Sequence, residues 1–156
     1  MRQPGNRIFT NSIWDRLMAP ADDTAGAALT LTLIQARRAI TRDLENLLNT
    51  RSAIPDAELA GLPRCRKSIA GFGLADFADL SLSSSADKVE ICQRLETAIT
   101  RHEPRLAQVR VQLVHEAGAV NRLGFIVTAR LRTLATAGTV RFDVLLEPSS
   151  LHYSIR

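Results

Sequence analysis

The chain reads as an α+β fold: an antiparallel sheet of three to four strands packed by two main amphipathic helices. Three observations predict it. Apolar residues recur at helical spacing over residues 33–49 and again over about 87–102. From Val109 onward they recur at every second position, in three successive runs. Between these regimes stands Glu103-Pro104-Arg105, an abrupt change of period at a proline, which ends a helix and turns the preceding residue toward extended geometry.

The segment Ser12-Ile13-Trp14-Asp15-Arg16-Leu17 has the pattern of one amphipathic turn or a short helix, and residues 19–30, with Pro20 and Gly26, read as a linker. The chain thus divides into an N-terminal segment and linker (1–30) and one domain (31–156). In the first helix Thr32 and Gln35 have capping-box spacing. Leu33, Ala36, Ile40, Leu44, Leu47 and Leu48 form the apolar stripe, with Arg38, Arg42, Glu45 and Asn49 opposite. Arg42 and Glu45 are spaced to pair along the outer face, and Arg51 stands near the helix C-terminus, where a cation is favourable.

Residues 52–85 are irregular, broken by Pro55, Gly61, Pro63 and Gly71-Phe72-Gly73-Leu74; short turns are expected to lay Ile69, Phe72, Leu74 and Phe77 over the core. The second helix begins near Ser84, with Asp87 at the capping-box position, and buries Ile91, Cys92, Leu95, Ala98 and Ile99. The strand runs are Val109/Val111/Leu113, then Leu123/Phe125/Val127/Ala129/Leu131, then Val140/Phe142/Val144/Leu146. Turns containing Gly118 and Gly138 make consecutive hairpins the natural connection, and Leu151, Tyr153 and Ile155 suggest a last short strand.

Composition excludes several function classes. A chain of 156 residues, 46% apolar and 23% charged, suits one soluble domain. No apolar run reaches the roughly 18 residues needed to cross a bilayer, and Met1-Arg2-Gln3-Pro4 opens no signal-peptide core, so a cytosolic protein without direct membrane insertion is expected. Cys65 and Cys92 form no CxxC, and His102, His115 and His152 lack a second ligand at helical spacing, so neither metal nor cofactor is expected. The net charge is +4, but the basic residues are scattered and all but Lys67 and Lys88 are arginine. With one tryptophan, one tyrosine and five phenylalanines, there is no basic stripe with stacking rings, and nucleic acid is not an expected partner. Arginine suits bidentate pairing with carboxylates, so acidic protein partners fit better.

Glu103 and Arg105, two apart in an extended segment, project to the same side. Three readings follow: an ion pair that fixes the elbow, a docking point that Pro104 keeps rigid, or half of a hydrolytic site. Glycoside hydrolysis needs two carboxylates roughly 5–10 Å apart, one of them protonated, with Asp76, Asp79 or Asp143 as candidate partners. A guanidinium beside Glu103 favours its ionised form instead, and few aromatics are present to line a sugar cleft. No Ser or Cys has an identifiable base and orienter. An edge strand at 151–155 could accept a strand from another chain, or be an ordinary protected edge.

These motifs resemble one family. Arg42-Asp43-Leu44-Glu45-Asn46-Leu47-Leu48-Asn49-Thr50-Arg51 is similar to the first-helix motif of the TssE family of type VI secretion baseplate components. Glu103-Pro104-Arg105-Leu106 is similar to its EPR motif, the 12–17 segment to its N-terminal segment, and Val140-Arg141-Phe142-Asp143 to its last-strand motif. Two departures stand out: His102 where the family often has an aromatic, and Ala75 where its middle motif has proline. That family includes the sheath initiators of contractile phage tails, often labelled lysozyme-like. The resemblance implies a non-enzymatic subunit at the cytoplasmic face of the inner membrane, joining baseplate wedges to the first sheath ring. It implies that Glu103, Pro104 and Arg105 dock the wedge proteins TssF and TssG, alongside TssK, and that the sheet exchanges strands with the sheath proteins TssB and TssC. Arg42, Glu45 and Arg51 are the candidate partner-binding residues on the helix motif. A peptidoglycan hydrolase using Glu103 is the alternative.

Overall fold

The computed structural model describes residues 18, 33–76, 80–81, 84–114, 123–132 and 138–156. The expected segment at 12–17, the linker, the Thr32 cap, Phe77, Asp79, His115 and the Gly118 turn lie outside the described residues. Helix α1 spans Leu33–Leu48, α2 is the single turn Pro63–Arg66, and a 3-10 turn covers Ile69–Gly71. Helix α3 spans Ser85–His102 and is followed by β1 (Leu106–Val114), β2 (Leu123–Leu131), β3 (Gly138–Glu147) and β4 (His152–Ile155). The strands form one antiparallel sheet in the order β1-β2-β3-β4, as consecutive hairpins require.

In α1 the apolar stripe buries Ala36, Ile40, Leu44, Leu47 and Leu48. Leu33 does not belong to it and is 48% exposed, so the core begins one turn later than the periodicity suggests. In α3 the hydroxyl of Ser84 accepts from the Asp87 N–H, the first half of a capping box. The Asp87 carboxylate does not complete the box: it reaches past the cap to the Ser81 N–H at 2.8 Å, and so ties the preceding loop to the helix start. Ile91, Leu95, Ala98 and Ile99 are buried; Cys92 is only half-buried, and burial pushes its thiol pKa up.

The two helices cover one face of the sheet. Helix α3 packs along β1, and α1 contacts α3 and β4. The sheet face beneath them supplies Val109, Val111, Phe125, Val127, Ala129, Leu131, Phe142, Val144, Leu146 and Tyr153 to one continuous core. Strand β1 starts at Leu106, three residues earlier than its alternation suggests. The reason is a bulge: the register shifts between Ala107 and Arg110, with Gln108 at φ 51°, so Leu106 and Val109 both face inward. One extra residue breaks a period of two, which hides the strand's beginning from a pattern reading.

The irregular segment after α1 is pinned at one point. The Ser52 N–H donates to Leu74 O and the Leu74 N–H to Thr50 O, each at 2.8 Å, closing a parallel bridge between Arg51 and Leu74. Gly73 turns the chain there at φ +113°, and an added Cβ would lie 2.7 Å from Thr50 O. Leu74 is buried and Phe72 half-buried as expected, whereas Ile69 is 91% exposed. Leu59, which the pattern did not single out, is buried.

Candidate functional site

Helix α3 ends because Pro104 has no N–H to continue the ladder. Glu103 caps it, at φ −115° and ψ 81°, and its N–H donates to Ile99 O at 2.9 Å. From this position the Glu103 side chain folds back onto Arg105. Its Oε1 accepts the Arg105 backbone N–H at 3.1 Å and Nε–H at 2.7 Å, and its Oε2 accepts from Nη2. This is the two-residue, same-side geometry that the Glu-Pro-Arg spacing predicts.

The pair does not face solvent. Glu103 is 4% exposed, a charged residue buried in the core, and the Arg105 side chain is 13% exposed. The same Nη2 also donates to Asp43 Oδ2 on α1. Arg105 therefore bridges two carboxylates from different elements and ties the elbow to the helix motif. Burial alone disfavours a charged guanidinium, but the hydrogen bonds and charges of Glu103 and Asp43 outweigh it and raise the Arg105 pKa above its ordinary value. Asp43 in turn pairs with Arg42 at 3.3 Å, and the Arg42 side chain is 47% exposed. A row of alternating charges thus runs from the surface at Arg42 through Asp43 and Arg105 to buried Glu103. Pro104, on the outside of the corner, is exposed.

Glu45 and Arg51 lie elsewhere, along β4. The carboxylate expected to pair with Arg42 instead accepts the Ile155 N–H at 2.9 Å through Glu45 Oε1. Arg51 donates to Leu151 O and Leu48 O, each at 3.3 Å. Between them Asn49 binds Tyr153 twice: its Oδ1 accepts the Tyr153 N–H at 2.8 Å and its Nδ2 donates to Tyr153 O at 2.9 Å. The helix motif thus serves two places, the elbow through Asp43 and the sheet edge through Glu45, Asn49 and Arg51.

Two residues central to this arrangement, Asp43 and Asn49, were not among the candidates. Asp43 carried a signal. It stands three residues after Ile40 and four before Leu47, which places a carboxylate on the apolar stripe, where a charge requires a partner. Nothing local in the sequence pairs Asn49 with a residue 104 positions away.

Among the described residues, hydrolytic geometry is not assembled around Glu103. Its carboxylate is enclosed by Arg105, and Asp143 on the outer sheet face pairs with Arg141 at 2.9 Å. A groove of about 490 Å³ runs along the flank of α3, lined by Asp56, Gly73, Gln93, Arg94, Ala98 and Arg101 among others. Its charges are mutually engaged, with Arg101 on Asp56 at 3.0 Å and Arg94 on Glu90. The Asp56 carboxyl is held below its usual range, chiefly by the hydrogen bond from Arg101. Among the described residues no cluster of three or more His, Cys, Asp or Glu is placed to hold a metal ion, and no helix is long and apolar enough to cross a membrane.

The family model described as "Baseplate wedge protein gp25" matches residues 34–135, a stretch that contains α1 from its second residue, the elbow, β1 and β2. No curated protein matches the chain.

Proposed function

The chain belongs to the baseplate wedge protein gp25 family, and from that premise we propose that it is the type VI secretion subunit that links the wedge proteins to the first ring of the contractile sheath. A structural role in the baseplate of a contractile injection machine follows from the family. The wedge side of the link is assigned to the corner at Pro104 and the exposed end of the charge row at Arg42, with TssF and TssG as partners and TssK in the same assembly. The sheath side is assigned to the four-stranded sheet, with TssB and TssC as partners. The subunit works at the cytoplasmic face of the inner membrane, held there by other baseplate proteins.

The observation that carries the reading is the Glu103–Arg105–Asp43 cluster. It fixes the corner between helix and sheet before any partner arrives, so docking orders few side chains. Buried Glu103 acts as a positioning group for Arg105, and Arg105 holds Asp43, which in turn orients Arg42. A catalytic acid would have to meet substrate, and the same burial opposes that role for Glu103.

Pull-down of TssF–TssG by the wild-type chain and by Arg42→Glu tests the wedge assignment, with circular dichroism on the same samples. Arg42 is half-exposed, so its reversal is expected to leave the fold intact and to weaken capture. Undiminished capture by folded Arg42→Glu would remove the charge row from the docking surface.

A further inference from the structure

Strand β4 is the last strand of the sheet, yet its outer edge is not open. Tyr153 and Ile155 turn their backbone groups away from β3, while the Arg156 N–H donates to Asp143 O on the β3 side. The outward groups are met by side chains from α1 and its C-terminal end, at Ile155 N–H, at Tyr153 N–H and O, and at Leu151 O.

The pattern of these contacts matters more than their number. A single residue, Asn49, exchanges both bonds with a single residue, Tyr153. In an antiparallel ladder that is the hydrogen-bonded pair; in a parallel ladder the two groups of one residue bond to two different residues. Two residues on, where the next such pair would fall, Glu45 supplies a carbonyl-like oxygen. The side chains therefore imitate two successive rungs of an antiparallel fifth strand. Asn49 is exposed and Glu45 half-buried, so they close the edge at its rim, with solvent beyond Asn49.

We propose that Glu45 and Asn49 form a displaceable latch on β4, and that the occupant of this edge is an extended strand running antiparallel to β4, with its hydrogen-bonded residues opposite Tyr153 and Ile155. This rests on the proposed contact with sheath subunits and specifies its edge, direction and register. The opposite edge is less suited. In β1 the bulge at Gln108 breaks the outward period, so an added strand could not keep one register along it. On β4 the pairing with β3 is unbroken from residue 152 to 155. Exchange of side-chain for backbone hydrogen bonds nearly conserves their number, so the latch keeps the free subunit from pairing indiscriminately without forbidding the correct strand.

The test uses the full chain and the purified sheath heterodimer of the same system. Asn49→Ala removes the competitor for the Tyr153 rung, so binding is expected to tighten by about five- to tenfold, the equivalent of roughly one to two hydrogen bonds of net strength. The Tyr153 amide, which loses its acceptor, is expected to exchange faster in free Asn49→Ala, while Ile155 keeps Glu45; both the Tyr153 and Ile155 amides are expected to be protected in its complex. Weaker or unchanged binding by the folded variant overturns the latch, as does a wild-type complex in which those amides keep the exchange rate of the free chain. A second arm needs no partner: Glu45→Ala/Asn49→Ala is expected to self-associate through the opened edge in sedimentation velocity. A strictly monomeric double variant with unchanged exchange at both amides overturns the proposal. Failure of the wild-type chain to bind sheath, with self-association of the double variant retained, counts against the sheath assignment and supports the latch.

Discussion

Replacing Arg105 by alanine should unfold far more than an arginine of ordinary exposure would. The guanidinium is the shared counter-charge of Glu103, whose side chain is 5% exposed, and of Asp43, at 15%. Its removal leaves two negative groups near each other with little water to solvate them. Breaking a buried pair in this way costs about 3–5 kcal/mol, because the remaining charge loses its partner and cannot regain its hydration. The Glu103 carboxylate keeps the backbone N–H of residue 105, which places the expected loss toward the lower end of that range. Against a total stability of about 5–15 kcal/mol, this is a large fraction. Urea unfolding followed by circular dichroism measures it directly. The companion experiment is Glu103→Gln/Arg105→Met, in which the pair's two charges leave together while Asp43 keeps Arg42; the double variant should recover about 0.5–3 kcal/mol relative to additivity, the range seen for contacting pairs. A folded Arg105→Ala that loses less than about 1 kcal/mol would place the cluster among solvated surface ion pairs and refute the reasoning.

Other outcomes follow from single contacts. Tyr153 is fully buried and its hydroxyl has no hydrogen-bond partner among the described residues, so Tyr153→Phe is expected to be neutral or stabilising by up to about 1–2 kcal/mol in thermal melts; a clear loss would show that the hydroxyl is satisfied. Burial pushes the same phenol up to about 12, so the folded state holds its proton more tightly than the unfolded chain. That contribution is complete below the ordinary value of 10 and is lost as pH rises from there through about 12. Tyr153 is the chain's one tyrosine, so tyrosinate absorbance reports it alone, and Tyr153→Phe should flatten that part of the stability profile. Gly73→Ala should cost about 1–3 kcal/mol, since the new Cβ meets the backbone of Thr50 and Ser52 at a φ that L residues rarely adopt; an unchanged melting temperature would contradict the pinned bridge. Burial lowers the His102 pKa despite its contact with Gly71 O at 2.7 Å, so the unfolded chain binds protons first as pH falls through the usual histidine range. Stability should therefore drop with acidification in that window, and His102→Phe, which keeps an aromatic edge toward Phe72, should reduce the drop.

Much of the fold was legible in the sequence because it rests on periodicity. The stripe Ala36-Ile40-Leu44-Leu47, the face Ile91-Leu95-Ala98-Ile99 and the strand alternations each report burial through a fixed repeat, and the structure buries them except Leu113, Leu123 and Val140, which are partly buried against the core. Legibility failed where the repeat is interrupted or where partners are distant. The bulge at Gln108 concealed the start of β1, and the Asp87 carboxylate chose Ser81 over the local cap. At the elbow, the pairing of Glu103 with Arg105 is a two-residue matter and could be read directly. Its burial could not, because burial depends on how α1 and the sheet close around it. The same holds for Glu45 and Asn49: as members of a helix they present a polar face, and only the return of the chain at 153–155 gives that face a strand to hold.

The central claim is that this subunit bridges two assemblies, and reconstitution with purified TssF–TssG and TssB–TssC tests it most directly. With the chain present, wedge and sheath subunits should co-elute as one complex, and without it they should separate. Co-elution that does not depend on the chain, or a folded chain that enters neither complex, would contradict the account.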